Sequence, residues 1–113
     1  MKTLILVIAA VTFCTGISRA AEGQKINVTM SEYKFEMPST VKAGKTTFVI
    51  KNAGKHAHSF AIKGEGINKK LATNPKPGQT QTLEVNLKPG TYVVTCPVDF
   101  HTAKGMKTTL TVK

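Results

Sequence analysis

The stretch that decides the fold is residues 90–112, GTYVVTCPVDFHTAKGMKTTLTV. Apolar side chains recur at every second position on both sides of its centre, as Tyr92 and Val94 before it and Leu110 and Val112 after it. Alternation with a period of two is typical of a β-strand that has one face on a core. The stretch therefore predicts two strands joined by a loop.

The same alternation recurs through the rest of the chain. The further runs that show it are 26–30, 33–37, 48–50, 60–62 and 83–87. Turn signals such as Lys76-Pro77-Gly78 and Lys88-Pro89-Gly90 separate some of these runs. About seven or eight short strands at this spacing predict an all-β, antiparallel β-sandwich of one domain. Residues 64–78 do not fit the pattern, and we expect a surface excursion with Ile67 and Leu71 facing inward from one helical turn.

The first 20 residues have the pattern of a secretory signal peptide. Lys2 precedes an apolar run over 4–13, and Ser18-Arg19-Ala20 places small residues where a signal peptidase cleaves. The run is too short to span a bilayer comfortably. We predict a signal peptide over 1–20, cleavage after Ala20 and one folded domain over 21–113. Export to the periplasm or the outer surface would result, and lipid anchoring at Cys14 is an open alternative.

The exported part of the chain is basic. Removing Lys2 and Arg19 from the 16 basic residues leaves 14 against 6 acidic residues, a net charge of +8. The lysines are scattered and no aromatic residues interleave with them, which excludes a typical nucleic-acid surface. The charge favours solubility and electrostatic steering toward an acidic partner. With no second apolar span, we expect a soluble, monomeric domain.

Cys96 is the one thiol that remains when Cys14 leaves with the signal peptide. It cannot form an internal disulfide, although export would take it to an oxidising compartment. A single cysteine there indicates a partner chain, a reactive thiol or a metal.

The loop after this cysteine favours the metal. Cys96, His101 and Met106 follow one another in the pattern Cys-x4-His-x4-Met. A thiolate and two imidazoles in a plane, with a weak axial thioether, form the ligand set of an electron-transfer copper site. The spacing therefore predicts one copper ion, with a second imidazole supplied from elsewhere in the fold.

Strand parity identifies His58 as that second imidazole. Cys96 shares a strand face with Val94, and Met106 shares one with Leu110, because successive side chains point to opposite faces. His58 shares a face with Phe60 if Ser59 continues directly into a strand. We predict that His58, Cys96, His101 and Met106 meet at one pole of the sandwich as the metal ligands. His56, in the pair His56-Ala57-His58, is predicted to be a surface residue, and a contribution from it to metal binding stays open.

These residues resemble the cupredoxin family of type I blue copper proteins. The resemblance rests on Asn52-Ala53-Gly54, on His58-Ser59-Phe60, on 89–92 and on the loop 96–106, whose length is similar to the loops of rusticyanin and auracyanin rather than plastocyanin. It implies a Greek-key sandwich with copper at one end and His101 as the ligand nearest the surface. It also implies that the Ser59 N–H donates to the Cys96 sulfur. Phe100 stands where related loops often carry glycine.

The function this implies is transport of single electrons between redox partners, such as a cytochrome or an oxidase, without catalysis by the chain itself. A copper oxidase or nitrite reductase would need a further copper and usually further domains. The alternative is a copper chaperone or storage protein, which would favour exposed, exchangeable ligands.

Overall fold

The computed structural model describes residues 23–98 and 105–113, and within them the alternating sequence forms nine β-strands. In chain order these are β1 (Gln24–Ser31), β2 (Lys34–Glu36), β3 (Thr40–Val41), β4 (Gly44–Asn52), β5 (Ala61–Gly64), β6 (Ile67–Lys70), β7 (Thr80–Leu87), β8 (Gly90–Thr95) and β9 (Lys107–Val112). These described ranges contain no helix with the length and hydrophobicity that a bilayer span requires. The predicted signal peptide lies outside them and stays a prediction.

The strands form two sheets, in the orders β2-β1-β4-β7 and β3-β9-β8-β5-β6. The predicted all-β Greek-key sandwich is confirmed. The expectation of purely antiparallel sheets is wrong, because β1 pairs parallel with β4 and β3 pairs parallel with β9. Between β1 and β4 the chain forms β2 and then crosses to the other sheet as β3. A crossover of this kind returns the chain in the same direction, which makes parallel pairing possible.

The segment predicted as a surface excursion with one helical turn is a strand instead. Ile67–Lys70 forms β6, which pairs antiparallel with β5 through a two-residue turn of Glu65 and Gly66. Both turn residues have positive φ, 48° and 79°, the conformation that a tight hairpin requires. Leu71 is buried, as expected, but it follows a strand and not a helix.

The core lies between the inward faces of the two sheets. Phe60, at the edge of the predicted site, is fully buried and has aromatic neighbours from the opposite sheet. Its ring centroid is 5.2 Å from that of Phe48 and 6.0 Å from that of Phe35, the latter edge to face. Such pairs fix ring orientation as well as burying apolar area. The segment that contains His58 is therefore attached to the core through Phe60.

Tyr92 closes the turn before β8 and provides a stability prediction. Its buried ring places the hydroxyl where it donates to the Lys88 carbonyl (2.8 Å) and accepts the Lys88 N–H (2.9 Å). We expect Tyr92→Phe to lower the free energy of unfolding by about 2 kcal/mol, because both backbone groups lose their partner. Urea denaturation measures this. Thr109→Val, which removes an exposed hydroxyl, is the control, and a Tyr92→Phe midpoint equal to that of the wild type would contradict the prediction.

Candidate metal centre

Cys96 and Met106 lie opposite each other at the ends of adjacent strands. The last ladder pair of β8 and β9 is Thr95 with Lys107, and one step further the Cys96 N–H donates to the Met106 carbonyl at 3.2 Å. Both side chains are fully buried. The prediction that each of these residues ends a core-facing stripe is confirmed, and the structure adds that the two strands are neighbours.

The sulfur of Cys96 is held by the backbone next to His58. The Ser59 N–H donates to Cys96 Sγ at 3.3 Å, as the family resemblance implies. His58 is itself fully buried. The fold thus brings His58 and Cys96, which are 38 positions apart in the chain, to the same pole, as predicted.

His58 does not lead directly into a strand, contrary to the expectation used to prefer it over His56. Strand β5 begins at Ala61, because the preceding backbone amides have other partners. The Ser59 N–H donates to the Cys96 sulfur, and the His58 N–H donates to the Pro75 carbonyl at 3.4 Å. The inward orientation survives without the strand, since His58 and Phe60 are both buried. His56 is exposed, as predicted.

His101, the remaining predicted ligand, lies outside the described residues. Among residues 23–98 and 105–113, no cluster of three or more His, Cys, Asp or Glu side chains is placed to hold a metal. The described part of the predicted set therefore consists of His58, Cys96 and Met106. A buried thiol that accepts an N–H, a buried imidazole and a buried thioether are the donors that suit a copper site. The residues present fit copper in their chemistry.

Asn52 organises the backbone around His58. It is fully buried at the end of β4, and its amide nitrogen donates to the carbonyls of His56 (2.8 Å) and Pro75 (2.9 Å). Its side-chain oxygen accepts the Gly54 N–H at 2.9 Å. The side chain thereby links the loop before His58 to the loop that accepts the His58 N–H. This role of Asn52 was not among the sequence-based predictions.

Glu32 is a second residue that sequence reasoning missed. It lies in the turn between β1 and β2, and its Oε1 accepts the backbone N–H groups of Lys55 and His56. The same oxygen lies 3.4 Å from His58 Nε2. The Lys55 N–H, more than any other group, lowers the pKa of the Glu32 carboxyl below its usual value, and the contact with His58 lowers it further against the opposing effect of burial. Glu32 is therefore a carboxylate at neutral pH.

The chain matches a family model described as a cupredoxin-like domain over residues 3–112. Among curated proteins it is similar to the iron uptake system component EfeO of Escherichia coli strain K12, with 34% identity over 96 residues, 84% of this chain and 26% of EfeO. The chain thus spans about a quarter of the length of the curated relatives that it matches.

Solved structures show the same fold. Reduced auracyanin from Roseiflexus castenholzii superposes with a TM-score of 0.64 at 21% identity, covering 80% of this chain and 96% of that one. Rusticyanin from Thiobacillus ferrooxidans superposes with a TM-score of 0.61 at 20% identity, covering 79% and 77%. The predicted likeness to these two proteins is confirmed. Because the family model spans nearly the whole sequence, this chain belongs to the cupredoxin-like domain family.

Proposed function

We propose that this protein is a type I blue copper protein that carries single electrons between redox partners. The observation that supports it best is the Cys96 sulfur, which is fully buried, accepts the Ser59 N–H and lies one ladder step from Met106. A sulfur that accepts an N–H in this way is suited to bind as a thiolate, because the hydrogen bond stabilises its charged form.

The proposed ligands are His58, Cys96, His101 and Met106. When bound, copper supplies a one-electron Cu(I)/Cu(II) couple. The contribution of the chain is to keep the ligands in place while the charge changes, because any rearrangement would slow electron transfer. Cys96 and Met106 sit at the ends of paired strands, and Asn52 fixes the loop before His58. The Ser59 N–H tunes the couple by withdrawing charge from the sulfur.

The test is a pair of spectra of the copper-loaded protein that starts at Ala21. We expect an intense visible band, which disappears on reduction and returns on oxidation, together with the paramagnetic-resonance signal of a thiolate-bound Cu(II). A colourless complex, or a band that does not return, would overturn the electron-carrier proposal.

Replacing the axial sulfur provides a quantitative prediction. We expect Met106→Leu to keep most of the colour and to raise the reduction potential by about 60 mV, equal to losing a tenfold preference for Cu(II) in a one-electron couple. Voltammetry of the copper-loaded variant measures the shift. Met37→Leu, the same exchange at a partly buried core position, should leave the potential unchanged. An unshifted potential in Met106→Leu would remove Met106 from the ligand set.

A metal-handling protein, such as a copper chaperone or store, is the second candidate. The likeness to an iron uptake component favours it. Such proteins exchange their metal readily, whereas His58, Cys96 and Met106 are each fully buried, which favours retention. Release of bound copper to a competing chelator within seconds, without a reversible redox couple, would support this candidate over the electron carrier. Tight binding of Fe(III) in place of copper would do the same.

The proposed partners are acidic redox proteins in an exported compartment. The charge of +8 on residues 21–113 would accelerate encounters with an acidic partner and would do so less at high salt. The proposal includes no catalysis by the chain alone. Steady oxidase turnover by the purified protein would contradict it.

A further inference from the structure

One carboxylate joins the first hairpin to the imidazole of the proposed site. Glu32 Oε1 lies 3.4 Å from Nε2 of the fully buried His58, and it also accepts the N–H groups of Lys55 and His56. The contact with the ring is longer than an optimal hydrogen bond, which spans roughly 2.7–3.2 Å. Its energy is accordingly modest, but it differs in sign between the two tautomers of His58, because only one of them directs an N–H at the carboxylate and the other directs a lone pair at it.

Gly54 provides an independent reason to regard this contact as built into the chain. A Cβ at position 54 would lie 2.5 Å from Glu32 Oε1 and 2.9 Å from His58 Nε2, both too close for any side chain. Gly54 is itself held by the Asn52 side chain. The two polar atoms therefore converge beside the one residue type that leaves room for them.

The chemistry of the pair selects a tautomer. A neutral imidazole carries one N–H donor and one acceptor nitrogen, and an ionised carboxylate is only an acceptor. The nitrogen that faces Glu32 must therefore carry the proton. A metal binds the nitrogen that lacks one.

We propose that Glu32 is a positioning residue that keeps the proton of His58 on Nε2 and so makes Nδ1 the metal-binding nitrogen. The inference rests on the proposed function only for its last step, the binding of copper. The carboxylate also places a negative charge next to the ligand, which increases the basicity of the imidazole and favours Cu(II) over Cu(I).

The first test uses the copper-free protein, so that it does not depend on the proposed function. Nitrogen chemical shifts of the labelled imidazole distinguish the two tautomers at about pH 8, above the ordinary histidine pKa of about 6.5. We expect His58 to carry its proton on Nε2 in the wild type and to populate both tautomers in Glu32→Ala. A proton on Nδ1 in the wild type, or an unchanged tautomer ratio in the variant, would overturn the proposal.

Glu36→Gln is the matched control. Glu36 is an exposed carboxylate of the same hairpin, 3.3 Å from the Lys34 ammonium. Its replacement removes the same charge without touching His58, and we expect the wild-type tautomer. A shift in Glu36→Gln as large as that in Glu32→Ala would show a general charge effect and contradict a positioning role.

The second test addresses the glycine. Gly54→Ala should push Oε1 away from Nε2 and reproduce the tautomer mixture of Glu32→Ala in the wild-type background. With Glu32 already replaced by alanine, adding Gly54→Ala should change the ratio little, because the two substitutions disrupt one contact. Independent, additive effects would contradict this account.

The last measurement tests whether Glu32 affects the affinity for copper. We expect Glu32→Gln, which keeps the shape of the side chain, to weaken Cu(II) binding about tenfold in a chelator competition, while Glu36→Gln does not. Unchanged Cu(II) affinity in Glu32→Gln would contradict the proposed effect on the ligand. If the wild type binds no copper, the proposed function fails, whereas the tautomer result in the copper-free protein still decides the role of Glu32.

Discussion

Copper-loaded Cys96→Ala protein is expected to have no visible absorption band under conditions in which the wild type is intensely coloured. The colour of a type I site comes from charge transfer between the thiolate and copper, and Cys96 is the only cysteine in residues 21–113. The expected effect is complete loss rather than a shift. Titration of both proteins with Cu(II), followed by optical spectroscopy at equal concentration, measures it.

Thr95→Ala is the matched control for this experiment. Thr95 is the neighbouring residue on β8, and its side chain points to the opposite face of the sheet. We expect it to keep the band. Cys96→Ala should still fold, because loss of one buried sulfur and its hydrogen bond costs about 1 kcal/mol. A coloured Cys96→Ala complex would exclude Cys96 as the source of the band.

The inward direction of Cys96 and Met106 was predictable because it depends on local geometry. A strand has a fixed period of two, so counting back from Leu110 and forward from Val94 gives the face of each residue. The burial of both side chains agrees with that count. The same reasoning identified the face of His58, even though the strand itself begins three residues later at Ala61.

Features that depend on long-range pairing were not predictable from local pattern. The parallel pairing of β1 with β4 requires a crossover between sheets, and no short stretch of sequence encodes it. Strand β6 was missed because Glu65-Gly66 is an uncommon pair for a two-residue hairpin turn, while the spacing of Ile67 and Leu71 is typical of a helix.

The two positioning residues differ in how far the sequence could have revealed them. Asn52 continues the inward stripe of Phe48 and Ile50, so parity places a polar side chain in the core, where it must find hydrogen-bond partners. That signal was available. Glu32 lies in a turn 26 residues before His58, and no periodicity links the two. Its role follows only from the folded structure.

Asn52 provides the second large expected effect, on stability. Its side chain forms three hydrogen bonds, two donated to the carbonyls of His56 and Pro75 and one accepted from the Gly54 N–H. Each contributes about 1 kcal/mol net, and truncating a fully buried side chain adds the cost of the cavity that it leaves. We therefore expect Asn52→Ala to lower the free energy of unfolding of the copper-free protein by about 4 kcal/mol, measured by urea denaturation.

Asn52→Asp separates the contribution of the hydrogen bonds from that of the side-chain volume. Asn52→Asp keeps the shape and the acceptor for Gly54, but it directs a carboxylate oxygen at two carbonyl oxygens in place of the amide donors. We expect it to be at least as destabilising as Asn52→Ala at neutral pH. The loss of stability in Asn52→Asp should be smaller in acid, because burial beside carbonyl oxygens raises the pKa of the new carboxyl in the folded state and protonation restores one donor.

Asn86→Ala is the control for Asn52→Ala. Asn86 is at an exposed position of β7, and its replacement should change the free energy of unfolding by less than about 0.5 kcal/mol. If Asn52→Ala is no more destabilising than Asn86→Ala, the loop before His58 does not depend on this side chain for its position.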